Sequence, residues 1–420
     1  MRLSPFLPRL AITAAFLFSI SSCSENLDSS GVCDVLCPSI GGSVKTDTLL
    51  ASITLDTTVQ SSSGLGTEPA LLLANRPDTL DTRVVIRFDS LPAKFIPTGD
   101  TSQAIQSVDS AYILLSLDTL SIKGSDVVTI EAYDVDTTAD DTVTADVLAL
   151  FRPDRFISSQ SFTRAQLTDS LKYYIDNATV LSKLQNGERL RVGLKATGTT
   201  SSQLTFASTE GGRSPILFFR ATPDTTTAPL TVLPLSQTPA NESLVAQRLA
   251  DYTIIAEAPP AAPPTVLSVG GLPPRRVLVR FDIPSKYIDS STVVRATLLL
   301  NQIANPALDP ADTIRVVPQV VLAGTAVTDP TKAAQIIANI SADTLKLTPG
   351  NGGKIAVELA AAFSLWRTQP ADSLPRSIVL KSQAEATSPV ELRFSSSEDI
   401  AALRPRLRIS YTTRVPLGLP

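Results

Sequence analysis

Apolar and polar residues alternate along RVVIRFD, residues 83–89, which puts Val84, Ile86 and Phe88 on one face of an extended segment. The same alternation returns in RVLVRFD, residues 276–282, with Val277, Val279 and Phe281 at matching parity. A buried-faced strand is predicted at both places. AYILLSL from Ala111 and ATLLLNQ from Ala296 predict a second matched pair, with Ala111, Ile113 and Leu115 inward in one and Ala296, Leu298 and Leu300 in the other. A short helical segment is expected next in each half. In LTDSLKYYIDN, residues 167–177, Leu171 and Ile175 stand four apart; in VELAAAFSLW, residues 357–366, Leu359, Phe363 and Trp366 keep helical spacing. RVGLKA near Val192 then answers SIVLKS near Val379. Finally QLTFASTEGGRSPILFF, 203–219, answers ELRFSSSEDIAALRPRLRI, 391–409, matching Phe206 with Phe394, Glu210 with Glu398, Pro215 with Pro405 and Leu217 with Leu407.

Five landmarks in one order, twice, read as a duplication. The offset drifts from 193 to 185, 188 and 190, as loop insertions produce on a retained strand framework. Each copy spans about 180 residues, an ordinary domain size. Val, Ile, Leu and Thr in short runs, punctuated by 31 prolines and 19 glycines, give an all-β texture. The expected organisation is serial: a leader at 1–22, a Ser- and Gly-rich tether at 23–45, one β domain at 46–222, a linker at 223–229, a second β domain at 230–414 and a tail at 415–420. The join falls at ATPDTTTAP, residues 221–229.

The leader changes the picture of location. Arg2 and Arg9 precede the apolar run LAITAAFLFSI, which at eleven residues is too short to span a bilayer and fits a secretory signal. Ile20-Ser21-Ser22-Cys23 follows and resembles the lipobox of bacterial lipoproteins. That resemblance implies acylation of Cys23 and, with Ser24 where an inner-membrane retention signal has Asp, an outer-membrane destination on either face. Several acyl chains anchor a protein stably at about 0.8 kcal/mol per buried methylene.

Residues 1–22 hold two arginines and no acid, so without them the net charge is −6 rather than −4. A mildly acidic chain offers no electrostatic footprint for nucleic acid. Cys33 and Cys37 remain once Cys23 is lipidated; they are a candidate disulfide in an oxidising compartment, with two reduced thiols as the other reading. Histidine is absent. This removes Ser-His-Asp and Cys-His catalysis and His-ligated zinc, leaving carboxylates, Lys, Tyr or Ser for any chemistry.

An RFD strand, Ala-x-Leu-x-Leu, a helical turn with Trp and a closing F-x-S-x-E…P-x-L-x-I together resemble the bacterial and archaeal DNRLRE-type domains. These are related to a carbohydrate-binding module family that recognises alginate-like polysaccharides. The second copy, with RFDIP, RATLLL, Trp366 and RFSSSE, matches more fully; the first has no Trp near residues 171–180, and neither contains the string DNRLRE. The resemblance implies two tandem jelly-roll-like β-sandwiches with a short helix in each, on a secreted or surface protein.

Among charged positions, Arg87 and Arg280 share the outward parity of the repeated strand, followed by Asp89 and Asp282. Structural pairs Arg87–Glu210 and Arg280–Glu398 are expected, with a duplicated sugar groove as the competing reading. The loop AYDVDTTADDTVTAD offers Asp134, Asp136, Asp140, Asp141 and Asp146, the first three kept as a calcium candidate, although its spacing is no EF-hand and a solvated acidic loop is the plainer reading. TPGNGGKIAV lacks the phosphate-loop residues, having Thr348 and Ile355 in their places, and reads as a turn. Trp366 lies on an apolar stripe and is expected in a core, while at least one of Tyr173 and Tyr174 is expected exposed. No cofactor and no catalytic residue is expected. The function expected is a non-catalytic, lipid-anchored envelope module recognising polysaccharide. The alternative is a spacer or protein-docking component, and a carboxylate-based polysaccharide-degrading enzyme is a third reading.

Overall fold

A computed structural model describes residues 44–49, 53–61, 65–77, 79–96, 102–138, 140–222, 229–235, 249–263, 265–305, 308, 312–321, 337–339, 344–368 and 376–413. The leader, Cys23, Cys33, Cys37 and most of the tether lie outside them. Lys45–Pro420 forms one unit built of antiparallel strands, and its strands make two β-sandwiches with short helices, as the alternation predicts.

In the first sandwich, the repeated strand Leu80–Phe88 lies beside Leu190–Thr197, which continues through Val127–Asp134 to Phe156–Thr163. On its other side come Ala70–Arg76 and Ser202–Ala207. The facing sheet runs Ser170–Tyr174, Ser107–Ser116, Ile216–Thr222, Leu230–Val232. Val84, Ile86 and Phe88 meet Ala111, Ile113 and Leu115 in the core between the sheets. The second sandwich repeats this scheme around Arg275–Phe281, with Val277, Val279 and Phe281 facing Ala296, Leu298 and Leu300. Its Ser291–Ile303 strand is long enough to pair with Arg406–Thr413 along most of its length and with Glu391–Ser395 at its end. Trp366 is fully buried there against Phe281 and Phe363.

One expected helix is displaced. Residues 170–174 form a strand, with Leu171 and Tyr173 buried and Ser170, Lys172 and Tyr174 exposed, and the helix is Asn177–Asn186. Period two over five residues wins over the single i, i+4 coincidence of Leu171 and Ile175. Asp176 supplies the N-cap by accepting from the Thr179 amide, and Gly187 ends the helix at φ 64°. The helix at Ala360–Arg367 stands where the sequence put it.

The strand order also departs from a serial division. Asp251–Glu257, expected in the second domain, pairs with Leu80–Phe88 of the first sandwich. Ile53–Gln60, expected in the first domain, pairs with Arg275–Phe281 of the second, and Lys45–Leu49 pairs with Arg406–Thr413. The first sandwich is therefore continuous over 65–257, whereas the second combines 45–60 with 265–413. The 221–229 stretch joins two adjacent strands of the first sandwich, and the crossing between sandwiches is at 258–265.

A repeated pair of side chains explains the exchange. Asp251 and Thr253 stand opposite Ile86 and Val84; Asp56 and Thr58 stand opposite the equivalent Val279 and Val277. Thr253 Oγ1 accepts from the Leu72 amide at 3.0 Å, and Thr58 Oγ1 from the Ser268 amide at 2.9 Å. Asp251 accepts from the amide and hydroxyl of Thr209, as Asp56 does from those of Ser397. Each inserted strand thus bonds by ladder on one side and by side chain on the other, satisfying amides that would otherwise be orphaned.

The sandwiches meet through an apolar plug. Gly270 and Gly271, at φ 85° and 81°, turn the chain so that Leu272 enters a cluster with Leu72, Ala74 and Leu80. A Cβ on Gly270 would fall 2.5 Å from the Val390 carbonyl oxygen. Lys123 and Asp312 form an ion pair across the same junction.

Deleting residues 45–60 is expected to leave 65–257 protease-resistant while cleavage appears within 265–413, and a synthetic 45–60 peptide added in trans is expected to restore protection. Limited proteolysis read by mass spectrometry checks this; equal resistance of both sandwiches would contradict it.

Candidate functional site

Arg87 lies on the outward face of its strand, as parity requires, yet it is fully buried. The 135–151 segment, with the short helix Thr144–Leu148, covers that face. Gly193 makes room: a Cβ there would fall 2.5 Å from the Phe151 ring. Register sets Arg87 directly opposite Arg191, two like charges that require counter-charge between them. Asp89 and Asp141 provide it. Arg87 donates to Asp89 at 2.8 Å and lies 3.2 Å from Asp141; Arg191 donates to Asp89 at 2.9 and 3.0 Å and to Asp141 at 2.9 Å. Tyr252 donates to Asp141 at 3.0 Å, and burial, then that carboxylate, hold its phenol well above the ordinary value. Arg87, Arg191, Asp89 and Asp141 form a buried square beneath the 135–151 segment, with Asp136 also 3.6 Å from Arg191.

This replaces the expected pairs. Glu210 and Glu398 are exposed, and neither takes part in an ion pair among the described residues. Glu210 sits beyond the Ser202–Ala207 strand, where it raises Asp251, and so does not reach Arg87. Arg280 lacks the Arg87 surroundings: Ser377 stands opposite it where Arg191 stands opposite Arg87, and Asp282 is exposed. The aspartates singled out for calcium are engaged by other groups of the chain, two of them by cations. Lys183 holds Asp134 at 2.9 Å, Arg189 holds Asp136 at 2.8 Å, and Asp140 accepts from the Thr142 amide and hydroxyl. Among the described residues no three carboxylates are placed to hold a metal ion.

Sequence reasoning had Asp141 only as a member of the acidic loop and missed Arg191 and Tyr252; the three come from distant segments. It also missed an aromatic ridge on the solvent face of the first sandwich. Register places Tyr174 and Phe218 directly opposite Tyr112 from either side, so three rings cross three adjacent strands. Tyr112 and Phe218 stack at 5.1 Å and 14°, Tyr174 lies 5.8 Å from Tyr112, and the Lys172 ammonium stands 5.2 Å from the Tyr112 ring. Tyr174 is 53% exposed. The readable signal was the polar-side parity of Tyr112 and Phe218 in strands whose other residues are core. In the second sandwich the same row reads Glu358, Thr297 and Arg408. Beside the ridge sandwich, a polar groove of about 650 Å³ opens at the junction, lined by Asp118, Lys123, Gln203, Thr205, Asp312 and Ser388 among others.

A carboxylate group lies where the inserted strand 251–257 docks. Burial lifts Glu68 to about 7 and Asp251 to about 6, with Glu210 adding repulsion to both. Glu68 Oε1 and Asp251 Oδ1 are buried without a hydrogen-bond partner.

No family model and no curated protein matches this chain. Solved structures with partial likeness include the C-terminal domain of the Streptococcus pyogenes antigen I/II-family protein AspA, at 9% identity over 86% of this chain and 91% of that one, TM-score 0.16. The tandem CBM22-1–CBM22-2 domains of Paenibacillus barcinonensis Xyn10C align at 10% identity over 89% and 92%, TM-score 0.13. The infectious bursal disease virus VP2 subviral particle aligns at 9% over 89% and 77%, TM-score 0.13. Likenesses of this size carry no argument about fold or function.

Two outcomes are expected. Asp141→Ala removes a buried carboxylate shared by Arg87 and Arg191 and is expected to cost about 3–5 kcal/mol in denaturant unfolding. Glu68 and Asp251 have folded values raised above their unfolded ones, so their contribution is full below about pH 4 and is lost as pH rises towards about 7. Glu68→Gln is therefore expected to stabilise by roughly 2–3 kcal/mol at pH 8 and by almost nothing at pH 4.5, read from melting curves at both pH values.

Proposed function

We propose that this chain is a non-catalytic polysaccharide-binding lipoprotein of the bacterial outer membrane, anchored at Cys23 and engaging glycan on the first sandwich. The observation that carries the reading is the ridge Tyr174–Tyr112–Phe218. Three aromatic side chains on a solvent-facing sheet are costly to leave in water and offer apolar ring surface to the C–H faces of sugars. Lys172 on the same face and the hydroxyl-, amide- and carboxylate-lined groove at the junction supply polar partners for sugar hydroxyls. The lipobox-like Ile20–Cys23 supports the anchor, and a chain without histidine supports a binding role over catalysis.

The second sandwich favours the spacer reading for its own half. The row equivalent to the ridge is charged and polar, and the segment that follows the tether, 45–60, is built into this sandwich. The two readings then describe two parts of one molecule: a supporting half next to the anchor and a binding half beyond it.

A glycan array probed with the soluble chain from residue 44 onward is expected to show binders. Tyr174→Ala and Phe218→Ala should each weaken binding roughly threefold to tenfold, as expected for about 0.5–1.5 kcal/mol of ring contact. Arg408→Ala in the second sandwich should leave it unchanged. An array without binders, or ridge variants that bind as the parent does, would overturn the proposal.

A further inference from the structure

The aromatic ridge is one row of a longer outward face. Register puts Lys172 and Ile216 opposite Leu114 from either side, and Ser170 opposite Ser116. Along the strands the solvent side therefore reads an aromatic row, then Lys172, Leu114 and Ile216, then a pair of serines. Leu114, Ser116 and Ile216 are half-buried, while Ser170 and Lys172 are exposed. From Tyr112 to Ser116 the strand covers about 13 Å, more than one sugar ring spans.

Ser116 belongs to the next feature as well. A recess of about 440 Å³ takes its walls from Ser116, Asp169 and Arg213, all at the same end of that sheet. It shares Ala70, Asp118, Leu120 and Thr205 with the 650 Å³ groove at the junction, so the two are sections of one trough. Thr313, Ala384 and Ser388 of the second sandwich form its far wall. The loop at the shared rim is fixed in shape. The Asp118 carboxylate accepts from the Leu120 amide at 3.1 Å, and the Asp118 carbonyl accepts from the Ser121 amide at 3.1 Å and hydroxyl at 2.8 Å. That loop holds Leu120 94% exposed, an apolar contact set among hydroxyl and carboxylate groups.

Charge narrows the ligand. Among the described residues lining the trough, Asp118, Asp169 and Asp312 stand with Lys123 and Arg213, and Lys123 pairs with Asp312. Lys172 on the adjoining face evens the two signs. A uronate chain would carry a carboxylate at every ring past Asp118 and Asp169, and like charges set against each other reject a ligand. A neutral sugar chain brings hydroxyls that donate to these carboxylates and exchange hydrogen bonds with Thr205 and Ser388.

We propose that ridge and trough form one extended site for a linear, uncharged polysaccharide, held over several consecutive sugars from Tyr174–Tyr112–Phe218 to the wall at Ala384. This rests on the reading of the ridge as a glycan platform. It adds the length and charge of the ligand, and it gives the second sandwich a wall of the site.

Isothermal titration of the chain from residue 44 onward tests it with β-1,4-linked gluco-, manno- and xylo-oligosaccharides of two to six units, and with guluronate and mannuronate oligomers of the same lengths. At least one neutral series is expected to bind about tenfold or more tightly at six units than at two, and about tenfold or more tightly than either uronate hexamer. Ala384→Trp, at an exposed turn of the second sandwich, puts a ring into the trough without touching the ridge. It should bring the hexamer down to the affinity of the dimer, with the dimer's own affinity and the melting temperature unchanged. Leu120→Ala should weaken the hexamer about threefold and leave the dimer as it was. Uronates binding as tightly as neutral chains, affinity that does not grow with length, or a hexamer indifferent to Ala384→Trp would each overturn the extended site. Where Tyr174→Ala still weakens binding in those cases, the ridge reading stands and only the extension falls; failure of every series to bind overturns both.

Discussion

The antiparallel ladder between Ile53–Gln60 and Arg275–Phe281 is the constraint on which the architecture rests. It joins residues more than two hundred positions apart and places the start of the unit inside its last sandwich. Without it, the repeated strand of the second sandwich would lose one neighbour, and the amides that Thr58 and Asp56 satisfy would be left without those acceptors. The same ladder encloses the first sandwich: everything from 65 to 257 is chain between two halves of one domain. Closure of this kind costs loop entropy that grows only slowly with length, so a long inserted domain is tolerated once both ends are fixed by strands.

The duplication is conservative in its core and divergent on its outer faces. Both copies keep the Phe at the end of the repeated strand, the Ala-x-Leu-type inward row and the Asp-x-Thr insertion. Outside, Gly193 of the first copy corresponds to Val379 of the second, as the registers opposite Val85 and Leu278 show. Val379 fills its own face with Leu278 and Val321. Gly193 leaves a hollow, and Phe151 and Val135 occupy it. One side chain thus decides whether this position packs within its own sheet face or receives residues of a folded-over segment.

This divides what was legible in the sequence from what was not. Strand cores are local, so period two located Val84, Ile86 and Phe88 and their repeats without error, and the apolar stripe placed Trp366 in a core. Partner choice is not local. Arg87 was correctly placed on the outward face, but its counter-charges come from Asp141 and from the register with Arg191, neither of which a spacing rule can reach. The serial division failed for a related reason: Asp56 and Asp251 sit in matching motifs, and two equivalent strands fit either sandwich equally well by pattern. The helix expected at 167–177 failed because one i, i+4 pair was given more weight than a strand-like alternation. The ridge was legible in principle, since Tyr112 and Phe218 occupy polar-parity positions, but its third member lay in the misassigned segment.

The buried square of Arg87, Asp89, Asp141 and Arg191 then acquires a reason. An apolar cover over the hollow at Gly193 could slide, because greasy contacts with a flat sheet are nearly indifferent to a shift of one residue. Buried charges are not indifferent: moving the 135–151 segment by one position would remove Asp141 from both guanidiniums and leave Asp89 to answer two facing like charges. Desolvation makes such a network a poor source of net stability, but it makes the wrong register far worse than the right one. In the second sandwich Leu278, Val321 and Val379 pack together on the corresponding face, and Ser377 stands opposite Arg280 where Arg191 stands opposite Arg87. Among the described residues the facing arginines occur where the 135–151 cover lies, which is what a positioning role requires.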